Sequence, residues 1–240
     1  MPFFYKIKER SNSSFKYTYG TPQEINTLLE NGTLDVALIS SASFLDNRSD
    51  YLLLSPLGIA CHDEVLSVKL YYKGSLQNLS KITVPWCSKT STALLKILCK
   101  HLWKITPEFI ESKSSAFDHL NKGIAFLSIG DECLQLCNPQ GYQTIDLAAA
   151  WHEWTDKPFI FALFATRVEA FKQKQNLLKD FFRLLESQLH AFESNPDEVV
   201  NECIKRLKCP IELVRNYFQV LDHRVNEEHF SGLERYALLR

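Results

Sequence analysis

Short apolar runs, each closed by small polar residues and followed by a helix signal, constrain this chain more than any other feature. Leu34 to Ile39 (LDVALI) ends at Ser40-Ser41, and Lys81 to Val84 (KITV) leads through Pro85 to the turn Ser88-Lys89-Thr90-Ser91. Ile124 to Ile129 (IAFLSI) ends at Gly130-Asp131, and Pro158 to Phe164 (PFIFALF) ends near Arg167. Runs this short and this apolar read as strands covered on both faces, the pattern of a parallel sheet in an α/β protein. Between them lie helix starts. Thr21-Pro22-Gln23-Glu24 combines a cap, a first-turn proline and a capping-box acid, and the helix it opens stops at Asn31-Gly32.

The remaining elements follow the same rules. Pro2 to Glu9 reads as a short helix, and Phe15, Tyr17 and Tyr19 alternate with polar residues as in a half-buried strand ending at Gly20. That strand, the helix after it and LDVALI would make a strand–helix–strand crossover unit. Val65 to Tyr72 and Glu108 to Glu111 are further strand candidates, and a helix is expected from Ser91 to about Trp103. From Val168 onward the chain reads as almost entirely helical, with an apolar face at three- and four-residue spacing from Leu177 to Leu185. Two alternating series joined by long strands predict two lobes with a cleft between them. Ligands in open α/β sheets bind beyond the carboxyl ends of strands, where helix N-termini converge.

Composition narrows the partners. Twenty-seven basic and 28 acidic residues in 240 give a net charge of −1, and no Lys/Arg run offers a footprint for nucleic acid. No apolar run reaches the roughly 18 residues of a membrane span, and Met1 to Tyr5 runs into Lys6 without a secretory pattern. The seven cysteines form no CxxC pair, which suits thiols in a reducing compartment, so a cytoplasmic protein is expected. No two histidines have metal-ligand spacing on one helix face, and no metal site is expected.

The turns carry what chemistry there is. Ser88, Thr90 and Ser91 place three hydroxyls around a helix start, where free N–H groups and the helix dipole favour an anion. The same residues also suit a plain N-cap. Ser40 and Ser41 could donate from the facing lobe or form an ordinary strand-end turn. Gly130 and Asp131 open a third helix, with Asp131 a cap or an acid, and Arg167 could reach a carboxylate or an interlobe partner. No GxSxG, P-loop or GxGxxG is present. These residues describe a cleft for a small anion.

In register, they resemble a known family. Leu34 to Ser40, Ser88-Lys89-Thr90-Ser91 with Leu94-Leu95, Ser128-Ile129-Gly130-Asp131, and Asp146-Leu147, Trp151, Trp154-Thr155 and Pro158 to Ala162 are similar to the chorismate dehydratases of the futalosine route to menaquinone. Gly232-Leu233 resembles the family's tail. The resemblance implies an α/β, two-lobed type II periplasmic-binding-protein-like fold. Lobe one would comprise residues 1–78 and 166–240 and lobe two residues 79–165, with the helical C-terminal tail packing on lobe one. It also implies conversion of chorismate to 3-[(1-carboxyvinyl)oxy]benzoate and water without a cofactor, with chorismate held by Ser40, Ser41, Ser88, Thr90, Ser91, Gly130 and Asp131. The matched turns offer no protein base, which leaves the substrate's own enolpyruvyl carboxylate to take the C3 proton.

Departures are specific. Lys89 stands where the family usually has Arg, and Asp156 replaces a usual Gly. The family begins with a strand and a Ser-Tyr-x-Asn turn leading into a proline, and this chain begins at that proline, Pro2. The first strand of lobe one is therefore expected to be missing, through a start codon lying upstream or a lost part of the site. The alternatives are a non-catalytic binder of small anions and the related 1,4-dihydroxy-6-naphthoate synthase, whose histidine-containing turn has no counterpart at Gly130-Asp131.

Overall fold

The computed structural model of the chain describes residues 2–7 and 14–240. Ten strands fall into two sheets, which are the frames of two lobes. The first sheet contains β1 (Val36–Ser40), β2 (Tyr51–Leu52), β3 (Leu57–Cys61), β9 (Phe159–Arg167) and β10 (Asp222–Arg224). Its order is β1-β9-β3-β10, with β2 beside β9, and every pairing is antiparallel. The second sheet runs β6-β5-β7-β4-β8, from β4 (Val68–Tyr72), β5 (Lys81–Pro85), β6 (Glu108–Ser112), β7 (Phe126–Ile129) and β8 (Gln143–Asp146). Here β5 is parallel to both β6 and β7.

Helices follow the strands as the sequence predicts. They are α1 (Pro22–Glu30), α2 (Ser41–Asp46), α3 (Lys89–Ile97), α4 (Ala116–Lys122), α5 (Gly130–Leu136) and α6 (Leu147–Thr155). The tail supplies α7 (Val168–Ser194, kinked at Lys174), α8 (Pro196–Leu207), α9 (Ile211–Val220) and α10 (Glu227–Leu239). At α1 the capping box forms as read, with Thr21 accepting from Glu24 N–H and Glu24 accepting from Thr21 N–H at 2.7 Å.

Several expectations are corrected. Residues 15–20 form no strand, so the first crossover unit is absent. Among the described residues this segment pairs with no strand, and Phe15 packs its ring 5.3 Å from Phe181 of α7. The LDVALI run sits in an antiparallel ladder, because the long apolar β9 inserts beside it. Among the described residues β1 is paired on that side only. The helix expected over Pro2–Glu9 is a 3-10 turn at Pro2–Phe4, and Lys8 and Glu9 lie outside the described residues. The helix expected from Ser91 starts at Lys89 and widens to a π turn over Leu98–Trp103. The tail contains a strand, β10, whose polar sequence gives no period-2 signal.

The chain passes between the sheets twice, at residues 62–67 and again through α6 into β9. β10 joins the first sheet, while α10 reaches further, with Tyr236 OH donating to Thr90 C=O at 3.2 Å and its ring 6.4 Å from that of Trp151. Gly232 permits this close approach, since a Cβ there would lie 2.0 Å from the Pro158 carbonyl oxygen.

One carboxylate ties the two passages together. Asp146 caps α6 by accepting from Ala148 and Ala149 N–H, and it also accepts from Val65 and, at 2.7 Å, Leu66 N–H. Burial raises its carboxyl above the usual range, although these four donors favour the charged form. Leu66 is held at φ 62°, a left-handed conformation that costs a branched side chain roughly 1–2 kcal/mol. Replacing Asp146 with Ala should therefore remove a cap and leave two crossover N–H groups unpaired. A loss of about 2–4 kcal/mol in urea-unfolding free energy is expected, and a change below about 0.5 kcal/mol would contradict this role.

Candidate functional site

The expected cleft would lie where three strand-to-helix turns meet. β5 and β7 are parallel neighbours, so the turns that follow them, Cys87–Ser91 and Ile129–Asp131, lie on the same edge of the second sheet. The turn after β1 comes to this edge from the first sheet, because α2 packs directly on α3. At the contact Ala42 N–H donates to Thr90 Oγ1 at 2.9 Å in a buried position. The second and first sheets are thus joined through the hydroxyl of a residue expected to bind ligand.

Each expected residue has a definite place. Ser40 is the N-cap of α2, accepting from Ser43 N–H at 3.3 Å, and it is also bonded on both backbone and side chain to Asn26. Ser41 is fully buried and donates to the Ile160 carbonyl of β9. Ser88 occupies the N-cap position of α3 and is buried, yet its hydroxyl makes no cap hydrogen bond to that helix. Thr21, Ser40, Ser115, Asp146 and Asn226 all cap their helices through side chains. Ser91 is buried in the first turn of the same helix.

Gly130 adopts φ 60° and donates its N–H to Ser67 C=O at 2.7 Å, so this turn is fastened to the crossover that Asp146 holds. A Cβ at Gly130 would meet nothing within 4 Å, so backbone conformation rather than space selects glycine there. Asp131 turns away to Arg206 of α8 at 3.0 Å, and α5 is capped at Ile129 without a side-chain bond. Arg167 lies against Gly32, with its Nε buried and without a hydrogen-bond partner among the described residues. Ser128, on β7 just before the turn, also buries a hydroxyl without a partner.

Electrostatics at this edge are mild. Lys89, the cation of the α3 turn, pairs with Asp46, which also takes Arg240 at 2.9 Å. The two cations hold Asp46 below the usual carboxyl range, although burial works the other way. Burial raises the Cys87 thiol, and the Glu132 and Glu24 carboxylates push the same way, so no thiolate nucleophile is available there. Glu24 is drawn below its ordinary range by Thr21 N–H and hydroxyl, which makes it a poor proton acceptor. Glu132 is engaged as acceptor for Ala116 N–H at 2.9 Å. A ligand anion here would be met by N–H and hydroxyl donors instead of a free arginine.

Sequence reading missed Asn26, the residue that holds Ser40, and the Asp46–Lys89–Arg240 seam. Their partners are far apart in the chain and leave no local motif. It also missed the gathering of His62, Asp222 and His229, because ligand spacing is sought within one element and these lie in three.

Comparison with known proteins agrees with this architecture. The profile of a family described as menaquinone biosynthesis matches residues 1–239. A chorismate dehydratase of Thermus thermophilus is 30% identical over 171 residues, covering 65% of this chain and 62% of the relative's length. A chorismate dehydratase of Campylobacter jejuni is 28% identical over 234 residues, covering 97% of this chain and 87% of the relative. A crystal structure of an Archaeoglobus fulgidus protein superposes with a TM-score of 0.77 at 19% identity, covering 99% of this chain and 91% of that one. The periplasmic aliphatic sulphonate binding protein of Escherichia coli gives 0.65 at 11% identity, over 92% of this chain and 74% of that one. The fold is periplasmic-binding-protein-like. No helix among the described residues is long and apolar enough to cross a membrane.

The Thr90 contact is directly testable. Thr90→Val keeps the shape but leaves Ala42 N–H buried without an acceptor, and should lower thermal stability by about 1–3 kcal/mol. Thr90→Ser should restore most of it. Equal stability of the Val and Ser variants in thermal unfolding would show the bond to be unimportant.

Proposed function

The chain belongs to the menaquinone biosynthesis family, and we propose that it is a chorismate dehydratase, converting chorismate to 3-[(1-carboxyvinyl)oxy]benzoate and water. The reaction removes the C4 hydroxyl and the C3 proton, and the ring becomes aromatic, so the protein's task is to orient the substrate and exclude water. The observation that carries this reading for the site is Ser88. It is a buried serine at the N-cap of α3 whose hydroxyl leaves its own helix uncapped, and whose turn faces the equally hydroxyl-rich end of β1.

Chorismate carries two carboxylates. We assign one to the Ser88–Ser91 turn, where the dipole of α3 and its first-turn N–H groups favour an anion. Ser40 and the Gly130 turn are assigned to the opposite end of the substrate, Ser40 being steadied by Asn26. Ser41 and Thr90 position these turns, through Ile160 and Ala42, and Asp131 lies on the rim beside Arg206. The side chains around the Ser88 turn supply no obvious base, since Cys87 is a protonated thiol and Glu24 and Glu132 are committed to backbone N–H groups. The enolpyruvyl carboxylate of the substrate, folded over the ring, is therefore assigned the C3 proton. A substrate analogue with that carboxylate esterified should not be dehydrated; turnover at the normal rate would overturn the assignment.

The dehydratase names of both relatives favour this reading over a solute binder and over the naphthoate synthase. We place the protein in the cytoplasm, where chorismate is available. Incubation with chorismate should produce the ultraviolet absorbance of the aromatic product. Ser88→Ala should lower kcat/KM at least about tenfold, the order expected for a lost charge-assisted bond of about 1.5–3 kcal/mol. Chorismate that binds and is not consumed would favour a non-catalytic binder.

A further inference from the structure

Away from the cleft, three residues from three parts of the chain bring donor atoms to one point. His62 begins the crossover between the sheets, Asp222 opens β10, and His229 lies in the first turn of α10. His62 Nδ1 is 2.9 Å and His229 Nε2 3.1 Å from the same Asp222 Oδ2, and the donor atoms of all three lie within 4.8 Å of one another.

The far nitrogens of both rings already have acceptors. His62 Nε2 lies 3.4 Å from Glu228 Oε2, and His229 Nδ1 lies 2.7 Å from Asn226 Oδ1 and 3.3 Å from Asn226 N, its backbone partner in the α10 capping box. That amide oxygen is oriented by its own task, since as N-cap of α10 it accepts His229 N–H at 3.1 Å. An ion bound beside Asp222 Oδ2 would take the near nitrogens as lone-pair donors and leave each far nitrogen to donate to its acceptor. Outer acceptors that fix histidine tautomers in this way are the usual support of a histidine metal site.

We propose that His62, Asp222 and His229 form a binding site for a divalent transition-metal ion, with Zn2+ the ion best suited to this N,N,O set. Metal–ligand distances of roughly 2.0–2.1 Å put tetrahedral ligand atoms about 3.3 Å apart, a few tenths of an ångström beyond the two distances seen here. His229 is almost completely buried, at 2% side-chain exposure, while His62 (46%) and Asp222 (37%) open to solvent. An ion can therefore enter from that side, and a fourth position remains for water. Bound there, it would tie the start of the crossover to the last strand and last helix of the chain.

The full chain, dialysed against a chelator, is titrated with ZnCl2 and analysed by equilibrium dialysis with elemental analysis. One Zn2+ per chain and a rise in melting temperature are expected. His62→Ala, a change at a half-exposed position, should weaken binding at least tenfold, and His190→Ala, on the exposed face of α7, should leave it unchanged. Co2+ in place of Zn2+ should give d–d bands without a thiolate charge-transfer band. Absence of stoichiometric binding, undiminished binding by His62→Ala, or a thiolate band pointing to the cysteines would each overturn the proposal.

Discussion

The Asp146 carboxylate and the four backbone N–H groups around it govern how the two lobes meet. Val65 and Leu66 lie on the first passage between the sheets, and Ala148 and Ala149 lie on the second. One half-buried side chain thus fixes both passages and holds Leu66 in a conformation that it would not adopt unaided. The consequence reaches the cleft through the next residue. Ser67 C=O accepts Gly130 N–H, so the turn after β7 takes its position from the crossover, and the crossover takes its position from Asp146.

From that anchor the rest of the cleft follows by packing and polar satisfaction. Parallel β5 and β7 put two helix starts on one edge, and Thr90, accepting from Ala42 N–H, brings the third against them. Tyr236 and Arg240 of the terminal helix close the same seam, on Thr90 C=O and on Asp46. The lysine of the α3 turn is spent on Asp46, which would leave an anion bound there to N–H and hydroxyl groups. Such a site binds by geometry more than by field, which suits a reaction whose driving force is the aromaticity of its product.

Much of this was legible in the sequence because it is local. The Thr21–Glu24 capping box, the β5, β7 and β9 runs and the helices after β5 and β7 each carry their own signal, the helix after β5 starting two residues before its expected Ser91. Elements that depend on distant partners were not. Residues 15–20 alternate like a strand but join neither sheet among the described residues, and β10 is a strand only because β3 accepts it. LDVALI looks like a parallel strand, yet its direction is decided by β9, more than a hundred residues away. Within the site, the serines could be nominated from their turns. Which of them cap, which bridge and which leave a hydroxyl free depends on contacts between lobes. Asp131 illustrates the limit, since its carboxylate is claimed by Arg206 of a helix no motif connects to it.

The central claim is that this cleft eliminates water from chorismate, and the identity of the product tests it most directly. Proton NMR of chorismate incubated with the purified chain should show new aromatic signals while the two vinyl protons of the enolpyruvyl group remain. Release of pyruvate with loss of those vinyl signals, or a chorismate spectrum unchanged over prolonged incubation, would contradict the account.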